Sequence, residues 1–131
     1  MTDILTQPEQ FKAELKEKWL DYYQANRIWL QRYMDSSSGW CDKTYCKKET
    51  LVELGFNEDY VPRRPECYFI LGVVSVLEPQ ITNILAFVEN FTNNSEQIVK
   101  ALGLNFDPEI ELKILSQQSE NINDIREEIK T

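Results

Sequence analysis

A chain of 131 residues with 42% hydrophobic and 27% charged side chains has the balance of one folded domain, not of a disordered segment. Its 22 acidic and 14 basic side chains leave a net charge of −8, which would repel nucleic-acid phosphates and argues against that class of partner. Histidine is absent, and with it the commonest general base and the usual partner of a Ser or Cys nucleophile.

Pro8 suits the first turn of a helix, and Phe11, Leu15, Trp19, Tyr22, Asn26, Trp29 and Tyr33 then recur at three- and four-residue spacings. The pattern predicts one helix from Glu9 to Met34, about 40 Å long at 1.5 Å per residue. Leu20, Tyr23, Leu30 and Met34 widen its apolar stripe on one flank. Lys12, Glu14, Lys16, Glu17, Asp21, Gln24 and Arg32 take the opposite surface. Asp35-Ser36-Ser37-Ser38-Gly39 ends the helix with turn residues. From Trp40 to Pro65 the chain is least regular, with a short helix expected over Lys48–Leu54 and stopped by Gly55. A loop from Asn57, stiffened by Pro62 and Pro65, follows it.

Between Tyr68 and Leu77 only Gly72 and Ser75 interrupt the large apolar side chains, so this segment marks the centre of the fold. Its Val and Ile content suits a buried strand and its length a buried helix. A helix over Glu66–Leu77 is the preferred reading, with Pro65 in its first turn and a break or kink near Pro79. Ile81 to Val88 resumes at helical spacing, within a helix expected from Gln80 to Phe91. Glu78-Pro79-Gln80 interrupts the two apolar runs, so neither reaches the roughly 20 residues that a bilayer span needs. Asn93-Asn94-Ser95 offers a loop and an N-cap for a helix over Glu96–Leu102, and Gly103 its C-terminal stop. Asp107 and Pro108 open the last helix as N-cap and first residue, with Ile110, Ile114 and Leu115 on its apolar side. Beyond Ser116 only Ile122, Ile125 and Ile129 keep such spacing, so 117–131 reads as a polar tail, either a thin helix or frayed. The expectation is a single all-α domain over 1–131. A long N-terminal helix packs on a buried, Pro-kinked central helix or helical hairpin, and two C-terminal helices complete it.

Three pieces of the chain resemble a family of small cyanobacterial proteins of uncharacterised function. They are Lys18-Trp19-Leu20-Asp21-Tyr22-Tyr23-Gln24-Ala25-Asn26-Arg27; Arg63-Arg64-Pro65 with Phe69-Ile70-Leu71 and Val74 to Gln80; and Ile98 to Pro108. The matching residues are core and capping residues, not a catalytic motif. The resemblance implies a soluble, cytoplasmic, cyanobacterial protein and no activity. Residues 36–57, with Cys41 and Cys46, look like its variable insert.

Several constellations are candidate sites. The carboxylate pairs Glu109/Glu111 and Glu127/Glu128 suit acid–base chemistry, but their polar surroundings favour solvated surface. Cys41, Cys46 and Cys67 would need an acidic fourth ligand such as Asp42 to hold zinc. Met1-Thr2-Asp3 lacks the basic start of a signal peptide, so reduced thiols are expected, with no metal and no cofactor. Six large rings fall between Trp19 and Trp40. Trp19, Tyr22 and Trp29 are assigned to the core, and Tyr23 and Tyr33 to a partner interface, where Tyr and Trp are enriched. Asn26 is either buried and hydrogen-bonded in the stripe, the preferred reading, or at its edge. Among the bases Lys43, Lys47, Lys48, Arg63 and Arg64, the last two could clamp a partner's carboxylate or phosphate. The alternatives are a solvated loop or pairing with the acidic tail.

The functional expectation is a non-enzymatic interaction protein, an assembly or adaptor factor for a larger cyanobacterial complex of the carboxysome, Rubisco or phycobilisome class. It would bind a protein partner through Tyr23, Tyr33, Arg63 and Arg64, with no nucleic acid and no membrane span, and with a homo-oligomer open. A small-ligand binder using a pocket between the aromatic helix and the apolar hairpin, and a regulator contacting the transcription machinery through its acidic tail, are the alternatives.

Overall fold

A computed structural model describes residues 3–130, with side chains described as far as 120. Its elements are α1 (Pro8–Ala25), α2 (Arg27–Ser37), β1 (Trp40–Cys41), α3 (Lys48–Glu53), β2 (Arg64–Pro65), α4 (Cys67–Leu77), α5 (Gln80–Val88), α6 (Ser95–Ala101) and α7 (Pro108–Lys130). The domain is mostly helical, as the periodicity predicts.

Phe11, Leu15, Trp19 and Tyr23 fall four residues apart, so one face of α1 carries all four, and all four are buried. That face meets α4, whose own buried residues are Cys67, Ile70, Leu71 and Val74; α4 also packs on α6. Leu30 and Met34 of α2, Ile81 of α5, and Val99, Leu102 and Leu104 complete this core. A smaller cluster, Leu51, Leu54 and Ile110, joins α3 to α7. Removing a ring such as Trp19 would cost about 3–5 kcal/mol. Among the described residues its buried indole N–H has no hydrogen-bond partner, a polar cost that the packing of the ring outweighs.

The single helix expected over Glu9–Met34 is two helices. At Asn26 the backbone leaves helical angles (φ −113°, ψ 12°). The Asn26 side-chain amide donates to the Tyr22 carbonyl at 2.9 Å, and its Oδ1 accepts from Trp29 Nε1 at 2.8 Å. An Asn side chain competes in this way with the backbone for helical partners. Helix resumes at once, with Leu30 N–H donating to the Asn26 carbonyl at 3.0 Å.

The segment preferred as helix over strand is α4. Before Pro79 the chain turns extended at Glu78 (φ −134°, ψ 100°), as steric pressure from a following proline requires, and α5 then begins. Regular helix stops at Val88, short of Phe91, with a turn over residues 89–91. Pro65 sits in β2 and not in the first turn of α4. Two-residue strands lie below what sequence periodicity can announce; β1 and β2 pair antiparallel, with Trp40 opposite Pro65 and Cys41 opposite Arg64. The caps follow the sequence. Asn94 Oδ1 accepts from the Glu96 and Gln97 amides, and Gly103 closes α6 at φ +78°, which favours glycine. The tail is helical to Lys130; the Ile122/Ile125/Ile129 spacing falls outside the described side chains. Among the described residues no helix is long and apolar enough to cross a membrane.

Two glycines differ in what an added methyl would meet. At Gly39 a Cβ would lie 2.5 Å from Sδ of the buried Met34, whereas at Gly72, inside α4, nothing lies within 4 Å. Gly72→Ala should therefore stabilise by about 0.5–1 kcal/mol through backbone entropy. Gly39→Ala should destabilise by about 1–3 kcal/mol through overpacking. Urea unfolding of the two variants beside wild type checks both signs.

Candidate interaction surface

The first turn of α7 is a polar junction. Asp107 caps it as the sequence predicts, its Oδ1 accepting from the Glu109 amide at 2.8 Å and the Ile110 amide at 3.3 Å. The other oxygen accepts from the Tyr60 hydroxyl at 2.7 Å and the Arg63 amide at 2.9 Å. Burial pushes the Asp107 carboxyl above the ordinary range, against the opposing pull of these four hydrogen bonds. Burial and this carboxylate together push the Tyr60 phenol far up. Two residues on, Glu109 Oε1 accepts from Tyr23 Oη at 3.1 Å, Arg27 Nε at 2.5 Å and Gln31 Nε2 at 2.5 Å. Glu109 thus grips α1 and α2 on either side of the Asn26 break.

Consecutive arginines point opposite ways, as successive residues of an extended strand must. Arg64 is fully buried. Its Nε donates to Asn105 Oδ1 and its Nη1 to the Pro65 carbonyl, both at 2.9 Å, and its Nη2 to Glu96 Oε2. Burial raises the Glu96 carboxyl, but a Cys67 hydrogen bond and the Arg64 guanidinium outweigh it and leave it below the ordinary range. Arg63 turns outward, with its Cζ 4.0 Å from the centroid of the Trp40 ring and Nη1 3.7 Å from Asp35 Oδ1. The same Asp35 oxygen accepts from Trp40 Nε1 at 2.7 Å.

Of the four residues expected to meet a partner, Tyr23 and Arg64 are therefore internal. Both are corrections. Tyr23 belongs to the buried row of α1, and Arg64 braces three backbone segments from inside. Arg63 is at the surface, engaged by Trp40 and Asp35; the tail's acidic side chains beyond residue 120 lie outside the described side chains. Tyr33 is 55% exposed, and its neighbour one turn earlier, Trp29, is 48% exposed instead of sitting in the core. Each four-residue step along a helix advances about 40° around its axis. The buried row from Phe11 to Tyr23 therefore drifts on to Leu30 and Met34 and leaves Trp29 and Tyr33 behind. Beside them Ile28 (70% exposed) and the exposed Arg32 form a second pair at the same spacing. Among the described residues Arg32 has no ion-pair partner.

The remaining candidate sites resolve into structure. Glu111 pairs with Lys16 at 2.5 Å. Cys41, Cys46 and Cys67 are free thiols, and among the described residues no group of three or more Cys, Asp or Glu side chains could hold a metal ion. Between the aromatic helix and the hairpin, Trp19 packs on Phe69 with ring centroids 6.4 Å apart. Glu127 and Glu128 lie outside the described side chains.

Residues 5–130 match the model of a family described as a family of unknown function, DUF5331. The chain belongs to DUF5331. Neither a curated protein nor a solved structure matches it. The DUF5331 match runs through both the insert at 36–57 and most of the tail. The pieces that carry the sequence resemblance hold Tyr23, Arg27, Arg64, Asn105 and Asp107, all members of the internal polar brace, whereas Ile28, Trp29, Arg32 and Tyr33 lie outside them.

Two outcomes follow from the brace of this DUF5331 chain. Arg64→Ala would strand Glu96 and Asn105 and should cost about 3–5 kcal/mol in urea unfolding. Arg64→Lys should recover little of it, because an ammonium cannot serve three directions in a plane. The second outcome concerns pH. Burial raises the Glu78 carboxyl, but Lys18, 2.9 Å away, and Gln80 hold it below the ordinary range, as Arg64 and Cys67 do for Glu96. Groups lowered by folding contribute stability above their unfolded pKa and lose it as pH falls; Asp107, raised, has the opposite sign. Stability measured as pH falls through the carboxylate range should therefore drop less steeply in Glu78→Gln than in wild type, and more steeply in Asp107→Asn.

Proposed function

We propose that the chain is a non-enzymatic protein–protein interaction module, an adaptor or assembly factor that presents the outer arc of α2 to a partner. The observation that carries the reading is Trp29 and Tyr33 half-exposed one turn apart, flanked by Ile28 and Arg32. Trp, Tyr and Arg are the residues that most often dominate binding energy at protein interfaces. In a chain of net charge −8, a face that offers an arginine beside two aromatic rings is chemically distinct from its surroundings. A fitting partner carries an acidic side chain beside an apolar recess.

The carboxylates support the non-enzymatic half of the reading. Glu109 is committed to three donors, Asp107 to four and Glu111 to a lysine, which leaves them no proton-transfer partner of suitable freedom. The family resemblance points the search to cyanobacterial assemblies of the carboxysome, Rubisco or phycobilisome class.

Affinity capture from a cyanobacterial lysate, followed by mass spectrometry, tests the arc. Wild type should retain a stoichiometric partner, and Tyr33→Ala or Arg32→Glu should each weaken capture by about tenfold or more, equivalent to roughly 1.4 kcal/mol. Because both residues are exposed, unfolding midpoints should stay within about 0.5 kcal/mol of wild type. Equal capture by the two variants and wild type would remove α2 from the interface.

A further inference from the structure

Beside the short ladder of β1 and β2 lies a recess of about 500 Å³, lined by Trp40, Asp42, Tyr60, Val61 and Arg63. Three of its walls are held from behind. Trp40 Nε1 donates to Asp35 Oδ1 at 2.7 Å, the Tyr60 hydroxyl to Asp107 Oδ2 at 2.7 Å, and the Arg63 amide to the same Asp107 oxygen at 2.9 Å. The Arg63 guanidinium lies over the Trp40 ring, 4.0 Å from its centroid, and stacking of that kind leaves its N–H edge free. Asp35 stands 3.7 Å from Nη1, too far for a hydrogen bond, so the guanidinium has no hydrogen-bond acceptor among the described residues. Continuing the ladder one step past Cys41 and Arg64 sets Asp42 opposite Arg63, where opposite charges ordinarily pair. Here they do not. Arg63 turns to Trp40, and the exposed Asp42 has no ion-pair partner among the described residues. One recess thus carries an unmatched guanidinium, an unmatched carboxylate and the apolar surface of Val61 and two rings.

We propose that this recess binds a free α-amino acid with an apolar side chain, Arg63 taking the carboxylate, Asp42 the ammonium, and Trp40, Tyr60 and Val61 the side chain. A guanidinium offers a carboxylate two parallel N–H donors, and stacking on Trp40 already fixes the plane in which they point. An anion alone would be repelled by Asp42, and a cation alone by Arg63. A zwitterion satisfies both. The recess also has the size of small-molecule sites, roughly 300–1,000 Å³, and their combination of apolar walls with a few polar groups. Val61 is 59% exposed, so the site is open to water, its charges are screened and its affinity is modest. It shares no residue with the α2 arc and is independent of the partner bound there.

Isothermal titration calorimetry of the full chain with L-leucine and with L-phenylalanine tests the site. At least one should bind with a Kd of about 1 mM or below. Removing the amino group (isocaproate, hydrocinnamate) or the carboxylate (isoamylamine, phenethylamine) should each raise Kd by about tenfold or more. Arg63→Gln and Asp42→Asn should each weaken the amino acid by a similar factor, with circular dichroism unchanged. Asp42→Asn should not weaken the acid that lacks the amino group, because that acid has nothing for Asp42 to hold. Silence towards both amino acids, binding indifferent to Arg63→Gln or to Asp42→Asn, or a deaminated acid that binds as tightly as its amino acid would each overturn the proposal.

Discussion

Seven hydrogen bonds converge on two carboxylates, Asp107 and Glu109, and through them the start of α7 fixes α1, α2 and the long irregular stretch against one another. The segment from Trp40 to Pro65 shows why. Ordering a residue costs about 1–2 kcal/mol of backbone entropy, and in this stretch only Leu51 and Leu54 bury large apolar side chains. Apolar burial of that size cannot hold 26 residues. Tyr60 and the Arg63 amide fasten the end of the stretch to Asp107, and Arg64 fastens it to Asn105 and Glu96. Each bond nets only about 1 kcal/mol, or up to about 3 kcal/mol with a charged partner. Leaving any of these buried groups unmatched costs more than the bond itself gains.

Glu109 solves a different geometric problem. Asn26 ends α1 by local competition for the Tyr22 carbonyl, which by itself leaves the direction of α2 undetermined. Tyr23 precedes the break, and Arg27 and Gln31 follow it. One oxygen gripping all three sets the angle between the helices. That angle in turn decides which side of α2 faces inward with Leu30 and Met34, and so which side chains remain outside.

How much of this was legible in the sequence follows from the range of each interaction. Local chemistry was readable, because Asp107-Pro108, Asn94, Gly55 and Gly103 act on residues within four positions. The apolar character of Tyr68–Leu77 placed the core, but its Val and Ile content left strand open beside helix, and only length favoured the helix that forms. Two things were not legible. One is the drift of the α1 stripe, which inverts the assignments of Trp29 and Tyr23: both sit within a broad band of rings, and only the packed α4 selects the centre of that band. The other is the fate of Arg63-Arg64, identical in type and adjacent. Which guanidinium turns inward depends on the two-residue ladder with Trp40–Cys41 and on acceptors at Glu96 and Asn105, more than 30 residues away. Long-range pairing of that kind leaves no periodic trace.

The acidic composition takes on a different meaning once the structure is considered. Glu78, Glu96, Asp107, Glu109 and Glu111 are all consumed by internal partners, so part of the acidity that composition reports serves the fold and not a partner. The aromatic surfaces left outside are chemically unlike the whole: an arc on α2 that carries Arg32, and exposed phenylalanines at and just beyond the end of α5. They share no residue. A partner carrying an acid would be drawn to the first and gain little from the second.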